Sequence, residues 1–120
     1  MPYLRHDGKS QVTIEYRDGK PYKVTQVVIA IPHEESINLR QVKDDIYETV
    51  VMPVLDIYGF KIKKDQLIVN GTGVWHHGGP ASDCGITGRK IVVDGYGGYA
   101  RVGGGAFSGK DPTKVDRSGA

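Results

Sequence analysis

Gln11-Val12-Thr13-Ile14-Glu15-Tyr16, then Arg17-Asp18-Gly19-Lys20-Pro21, then Tyr22-Lys23-Val24-Thr25-Gln26-Val27-Val28-Ile29-Ala30-Ile31 is the stretch on which the fold turns. Val12, Ile14 and Tyr16 alternate with Gln11, Thr13 and Glu15, and a period of two with β-branched residues reads as a half-buried strand. Asp18-Gly19 supplies a tight turn, because glycine takes positive φ without steric cost. Tyr22 to Ile31 reads as a second strand, and its Val27–Ile31 run predicts burial on both faces. The two together form a long hairpin.

Downstream, Leu39, Val42, Ile46 and Val50 recur at helical spacing, with Arg40, Lys43, Asp44 and Glu48 pointing elsewhere. Ser36 or Asn38 is placed to cap this helix, and Pro53 is the expected end of it. Leu67 to Val69 reads as a short buried strand. Hairpin, helix and strand make an α+β domain, a mixed sheet with helices packed on one face.

Glycine is spread unevenly. Of 17 glycines, 3 lie in residues 1–70 and 14 in residues 71–120. The first part is therefore expected to be the sheet and helix scaffold, and the second a backbone shaped to approach a ligand. In that second part Ile91-Val92-Val93 suggests a strand. Gly95 to Gly109 holds seven glycines, and Asp111-Pro112 is a good helix opening. The helix so opened has only nine residues before Ala120, short of the roughly 12–15 an isolated helix needs in water. The chain reads as a single domain, a fragment or an excised piece, ending in a truncated helix.

Composition narrows the function. The chain has 120 residues, 25% of them charged, with a formal net charge of +2, a balance unlike that of a strongly basic nucleic-acid or membrane-surface protein. Its one cysteine, Cys84, has no internal disulfide partner, so a reducing compartment is expected. Nothing approaches the ~20 apolar residues of a membrane span, nor the pattern of a secretory signal. A soluble cytoplasmic protein is expected, with neither nucleic acid nor membrane as partner.

The sharpest chemical feature is Gly103-Gly104-Gly105-Ala106-Phe107-Ser108-Gly109-Lys110-Asp111. Gly104, Gly109 and Lys110 nearly satisfy the P-loop pattern. Asp111 stands where that loop needs a hydroxyl for magnesium, which argues against a P-loop NTPase but not against phosphate binding. Glycines let backbone N–H groups converge on phosphate oxygens, and a following helix N-terminus adds partial positive charge. Lys114 and Arg117 follow at helical spacing, Arg89-Lys90 adds a second basic pair, and Lys9 precedes the first strand. Cations drawn from separate segments suit a polyphosphate. Other candidates are weaker. His76-His77 with Cys84 or His33 suggests a metal, yet no standard zinc spacing is present. Trp75 is placed to stack on a base or to fill the core.

Three motifs carry a resemblance. Met1 to Thr13 resembles the "PxLRPDxKSQV" segment of methionine adenosyltransferases, also called S-adenosylmethionine synthetases. Asp83 to Lys90 resembles their "GDxGLTGRK" stretch, and Gly103 to Ser118 their "GGGAFSGKD" signature with its "DPSKVDRS" continuation. The resemblance covers essentially the whole chain and places it in the central portion of that enzyme.

That family forms S-adenosylmethionine from ATP and L-methionine, releasing phosphate and diphosphate. The resemblance implies ATP contacts at Asp7, Gly8, Lys9, Val74, Trp75, Asp83, Arg89, Lys90, Ala106 and Lys110, with Lys9, Arg89 and Lys110 as the catalytic cations. It implies methionine contacts at Asp83 and Lys114, a metal-side carboxylate at Asp116, and Mg2+ and K+ held mainly by residues outside this chain. It also implies a homodimer or homotetramer, with active sites between subunits. Two departures stand out: His6 replaces the family's proline, and Asn70 to Gly79 replaces "NPTGRFVIGG", so Val74-Trp75 stands where an arginine–aromatic pair is usual. The family's "HPDK" and "GAGDQG" motifs are absent, so the chain alone is expected to lack synthetase activity. The rival expectations are a non-catalytic nucleotide- or polyphosphate-binding module and a pure assembly domain.

Overall fold

The computed structural model describes residues 1–85, 97–99 and 112–113. The chain divides into two compact units, Met1–Cys84 and Gly85–Ala120. In the second unit, the described residues form a 3-10 turn at Gly97–Tyr99 and a turn at Pro112 and Thr113. The expected strand around Ile91-Val92-Val93, the glycine-rich phosphate loop and the helix after Asp111 lie outside the described residues.

The first unit is the α+β domain expected from the sequence. Strands β1 (Lys9–Arg17) and β2 (Lys20–Ala30) form the antiparallel hairpin, and β3 (Leu67–Val69) joins β2 in parallel. The sheet order is β1-β2-β3. Asp18 and Gly19 turn the hairpin with φ of 49° and 74°, both in the left-handed region that a two-residue hairpin turn requires.

Two irregularities set which hairpin residues face inward. Thr13 pairs with Gln26 while Ile14 pairs with Val24, so Thr25 is an extra residue on β2; Tyr22 is a second. A bulge of this kind breaks the period of two. It explains why Val24 and Val27, three residues apart, both enter the core. The Thr25 hydroxyl donates to the Thr13 carbonyl, and the Gln66 side-chain amide donates to the Thr25 carbonyl, so the bulge is hydrogen-bonded on both sides.

The helix opens where capping chemistry places it. Of the two candidate caps, Asn38 does the work: its side-chain oxygen accepts from the Gln41 N–H at 2.9 Å. Pro53, however, does not end the helix. Helix α1 (Leu39–Ile46) runs through a π-helical segment (Tyr47–Val51) into α2 (Met52–Ile57). Within the π segment Met52 N–H donates to Tyr47 O, five residues back rather than four. A proline ring collides with the carbonyl four residues behind it. Here that carbonyl belongs to Thr49, inside the widened turn, where there is room.

The same insertion advances the buried stripe by one residue. The inward positions are Val42, Ile46, Val51 and Leu55, so Val51 is 4% exposed while Val50, expected on the inner face, is 37% exposed. With Val24, Val27, Ile62, Leu67 and Val69 they form one core. Val12 and Tyr16 share the inward face of β1 yet remain exposed, at 47% and 54%. They border open depressions beside Val54 and Leu55 instead of being covered.

The π register makes a direct prediction. Val51→Ala should cost about 2 kcal/mol of folding stability through lost burial and a residual cavity. Val50→Ala should stay within about 0.5 kcal/mol, as surface changes usually do. Urea denaturation of both variants measures the contrast, and equal losses would mean an uninterrupted α-helix.

Candidate functional site

The loop that leaves β3 begins at Asn70, a buried residue with φ of 48°. Its side-chain oxygen accepts from Ile31 N–H at 2.8 Å, its side-chain nitrogen donates to Ile31 O at 2.9 Å, and its own N–H donates to Ile29 O. Asparagine tolerates left-handed backbone better than most residues, so one side chain both turns the chain and extends the β2–β3 pairing.

From there the loop returns along the exit of β2. His33 N–H donates to Trp75 O at 2.9 Å, and His76 Nδ1 lies 2.9 Å from the His33 carbonyl oxygen. On the far side of the same exit runs the N-terminal segment. Arg5 N–H donates to Pro32 O, Glu34 N–H donates to Tyr3 O, and Leu4 bridges to His33. Residues 3–5, 32–34 and 75–76 thus lie side by side, held by main-chain hydrogen bonds.

Gly78 seals this arrangement. A Cβ at that position would stand 2.7 Å from both His6 O and Pro32 Cγ, closer than any side chain tolerates. The backbone of the loop therefore touches the backbone just before Asp7. Gly79 follows with φ of 75°, and its carbonyl accepts from both Ser82 and Asp83 N–H at 3.0 Å.

The structure thus brings two of the sequence-derived segments to one place. Asp7 has φ of 89°, a conformation rare for a residue with a side chain, and its Oδ1 accepts from Gly8 N–H at 2.7 Å. Backbone held in sparsely populated regions is concentrated at functional sites. Lys9 follows as the first residue of β1, paired with Ala30 and exposed. Against the same His6 lies the Trp75–Gly79 loop. Trp75 is half-buried rather than part of the core, and its indole N–H donates to the His77 carbonyl within the loop. Val74 and Asp83 are exposed. A depression lined by Arg5, His6, His76, His77, Gly78 and Ser82 opens between the two segments.

Arg89, Lys90, Ala106, Lys110, Lys114 and Asp116 lie outside the described residues, and so does the distance from any of them to Lys9. Among the described residues no three His, Cys, Asp or Glu side chains are grouped to hold a metal ion. No helix among them is long and apolar enough to cross a membrane. Cys84 is exposed, its thiol directed at the Pro80 carbonyl.

Sequence reading passed over three positioning residues. Asn70 and Gly78 looked like ordinary turn residues, although an asparagine straight after a buried strand and a Gly-Gly-Pro run were available signals. Tyr3 was the third. Its hydroxyl donates to Asp45 at 2.6 Å and ties the N-terminal segment to α1. Burial, then the hydrogen bond and the charge of Asp45, raise its pKa from 10 to about 12.

Two predictions follow from these contacts. Gly78→Ala should destabilise the unit by about 1–3 kcal/mol, the usual cost of forcing atoms into filled space, and should shift the emission of the single tryptophan. The Tyr3 phenol is neutral in the fold up to a higher pH than in the unfolded chain. Its contribution is therefore complete below about pH 10 and lost as pH rises through about 12. Urea melts at several alkaline pH values should show that component of the loss in the parent chain and not in Tyr3→Phe.

Two family models match the chain: the S-adenosylmethionine synthetase central domain over residues 1–75 and the C-terminal domain of the same family over residues 77–120. Curated relatives named S-adenosylmethionine synthase agree. The one from Parafrankia sp. is 56% identical over 119 residues, covering 98% of this chain and 30% of its own length. Those from Desulforudis audaxviator and Crocosphaera subtropica are 53% and 51% identical, covering 98% and 100% of this chain. The chain spans about 30% of the length of these relatives. By both kinds of match, the chain belongs to the S-adenosylmethionine synthetase family.

Proposed function

We propose that this chain supplies part of the ATP and triphosphate site of a methionine adenosyltransferase, the enzyme that joins ATP and L-methionine to form S-adenosylmethionine. In that reaction the methionine sulfur forms a bond to C5′ of the ribose. The C5′–O bond breaks, its electron pair leaves on the triphosphate, and the triphosphate is then cleaved to phosphate and diphosphate. Negative charge grows on the leaving oxygen, so cations already in place stabilise the transition state without having to reorganise. Lys9, Arg89 and Lys110 are assigned that role, with Lys90 as a further phosphate contact.

The observation that carries the reading is the junction of Asp7-Gly8-Lys9 with the Trp75–Gly79 loop. The strained Asp7 and the close approach of Gly78 to His6 hold Lys9 and Trp75 on neighbouring, well-tied segments. Such pre-positioning is what a nucleotide site needs, because a lysine free to wander is worth little to an anion. Trp75 takes the adenine-side position together with Val74. Gly8 and Ala106 line the nucleotide, Asp83 meets ATP and methionine, and Lys114 lies on the methionine side. The scaffold is residues 1–70 and the phosphate segment residues 71–120.

Mg2+ and K+ belong to the same reading. Among the described residues no three His, Cys, Asp or Glu side chains are grouped to hold a metal ion, and in this reading the main ligands of both ions lie outside the chain. Asp116 is the one carboxylate assigned to the metal side. The chain acts with the other segments of the same enzyme in a homo-oligomer and is inactive alone.

Titration with tripolyphosphate or a non-hydrolysable ATP analogue, followed by NMR, tests the site. Shifts should concentrate at Lys9, Arg89, Lys90 and Lys110, with the Trp75 indole responding to the ATP analogue only. Silence at those four cations while other residues move would refute the assignment.

A further inference from the structure

Trp75 is tied into its loop through both side chain and main chain. Its indole N–H donates to the His77 carbonyl, and its own carbonyl accepts from His33 N–H at 2.9 Å. Cζ2 lies on the same edge of the ring, and a Cβ on Gly78 would stand 3.2 Å from it. The N–H edge of the indole is therefore turned toward residues 77 and 78, while the residue as a whole is only half-buried.

Indole has one polar atom, a donor, and here a carbonyl of the loop already engages it. Val74 beside it is 61% exposed and has no polar side-chain atom. The two side chains that the nucleotide reading sets against the base thus present carbon to it. His76 is turned to the His33 carbonyl, and the exposed His77 is the polar side chain that follows on the loop.

Purines differ at their edges and not in their faces. Adenine carries a donor at its 6-amino group and an acceptor at N1, whereas guanine carries an acceptor at O6 and a donor at N1. A site that hydrogen-bonds a substrate group rejects an analogue lacking it by about 10⁴–10⁵, because its own buried polar groups are left unpaired. Stacking transmits no such difference, since every base has a π-face.

We infer that the base position of this chain is held by stacking on Trp75 and not by side-chain hydrogen bonds, so that it accepts purine nucleoside triphosphates of either edge pattern. This rests on the nucleotide reading given above and states which substrates that site takes. The triphosphate is recognised by charge and the base as a flat apolar surface.

Non-hydrolysable analogues of ATP and GTP, with tripolyphosphate as the base-free reference, are titrated into the full 120-residue chain and followed by Trp75 emission and its indole NMR signal. The two analogues should bind within about tenfold of each other, and Trp75→Ala should weaken both by about tenfold or more while leaving tripolyphosphate within about threefold. Trp75→Phe keeps a ring and removes the N–H, so it should leave the ATP-to-GTP ratio unchanged, as should His77→Ala. The phenylalanine variant carries the test if the alanine variant does not fold. A preference beyond about tenfold for either base, or a ratio that changes in Trp75→Phe or His77→Ala, overturns the inference and leaves the nucleotide reading in place. A Trp75 signal silent to both analogues refutes the placement of the base itself, and the inference falls with it.

Discussion

The amide of Asn70 grips both backbone groups of Ile31, and the arrangement of the candidate site starts from that clasp. Ile31 lies just past the end of β2, where the main chain has left the sheet and its polar groups have no strand beside them. A buried N–H and C=O left unpaired would each cost roughly 1–3 kcal/mol. One planar side chain answers both. It also sets the direction in which the loop departs, since its own φ is left-handed. Beyond it, Trp75 reaches His33, Gly78 reaches His6, and Tyr3 fastens the N-terminal segment to α1. These ties hold Asp7 and Lys9 beside the loop without a large apolar core beneath them.

The core itself depends on three single-residue insertions. Thr25 and Tyr22 bulge from β2, and the π segment adds a residue between Ile46 and Val51. Each changes which side chain faces inward from that point on. The bulge at Thr25 lets Val24 and Val27 share one face, and the π turn replaces Val50 with Val51. Bulges and π turns both tend to occur near functional sites, where they re-aim side chains. Here the π turn also accommodates Pro53, which would otherwise break the helix.

Much of this was legible beforehand. The alternation of Gln11–Tyr16, the Asp18-Gly19 turn, a cap at Ser36 or Asn38 and the Leu67–Val69 strand all follow from local chemistry, and of the two caps the fold uses Asn38. The proline was misread because its clash depends on the hydrogen-bond spacing of the preceding turn, which composition does not report. Val50 and Val51 are adjacent valines of equal hydrophobicity, so nothing local distinguishes the inward one. Asp7-Gly8-Lys9 stood out as a motif, whereas the partner that steadies it, Gly78, lies about seventy residues away and looked like any loop glycine.

Sequence alone determined the element types of residues 1–70, the hairpin and the family, because each rests on neighbours within a few residues or on the order of motifs along the chain. Tertiary structure decided which valine is buried, where the helix ends, how Asn70 and Gly78 bind distant segments, and that His33 and His76 meet. These depend on contacts between residues far apart in the chain, and a contact exists only when the space between its partners has been filled.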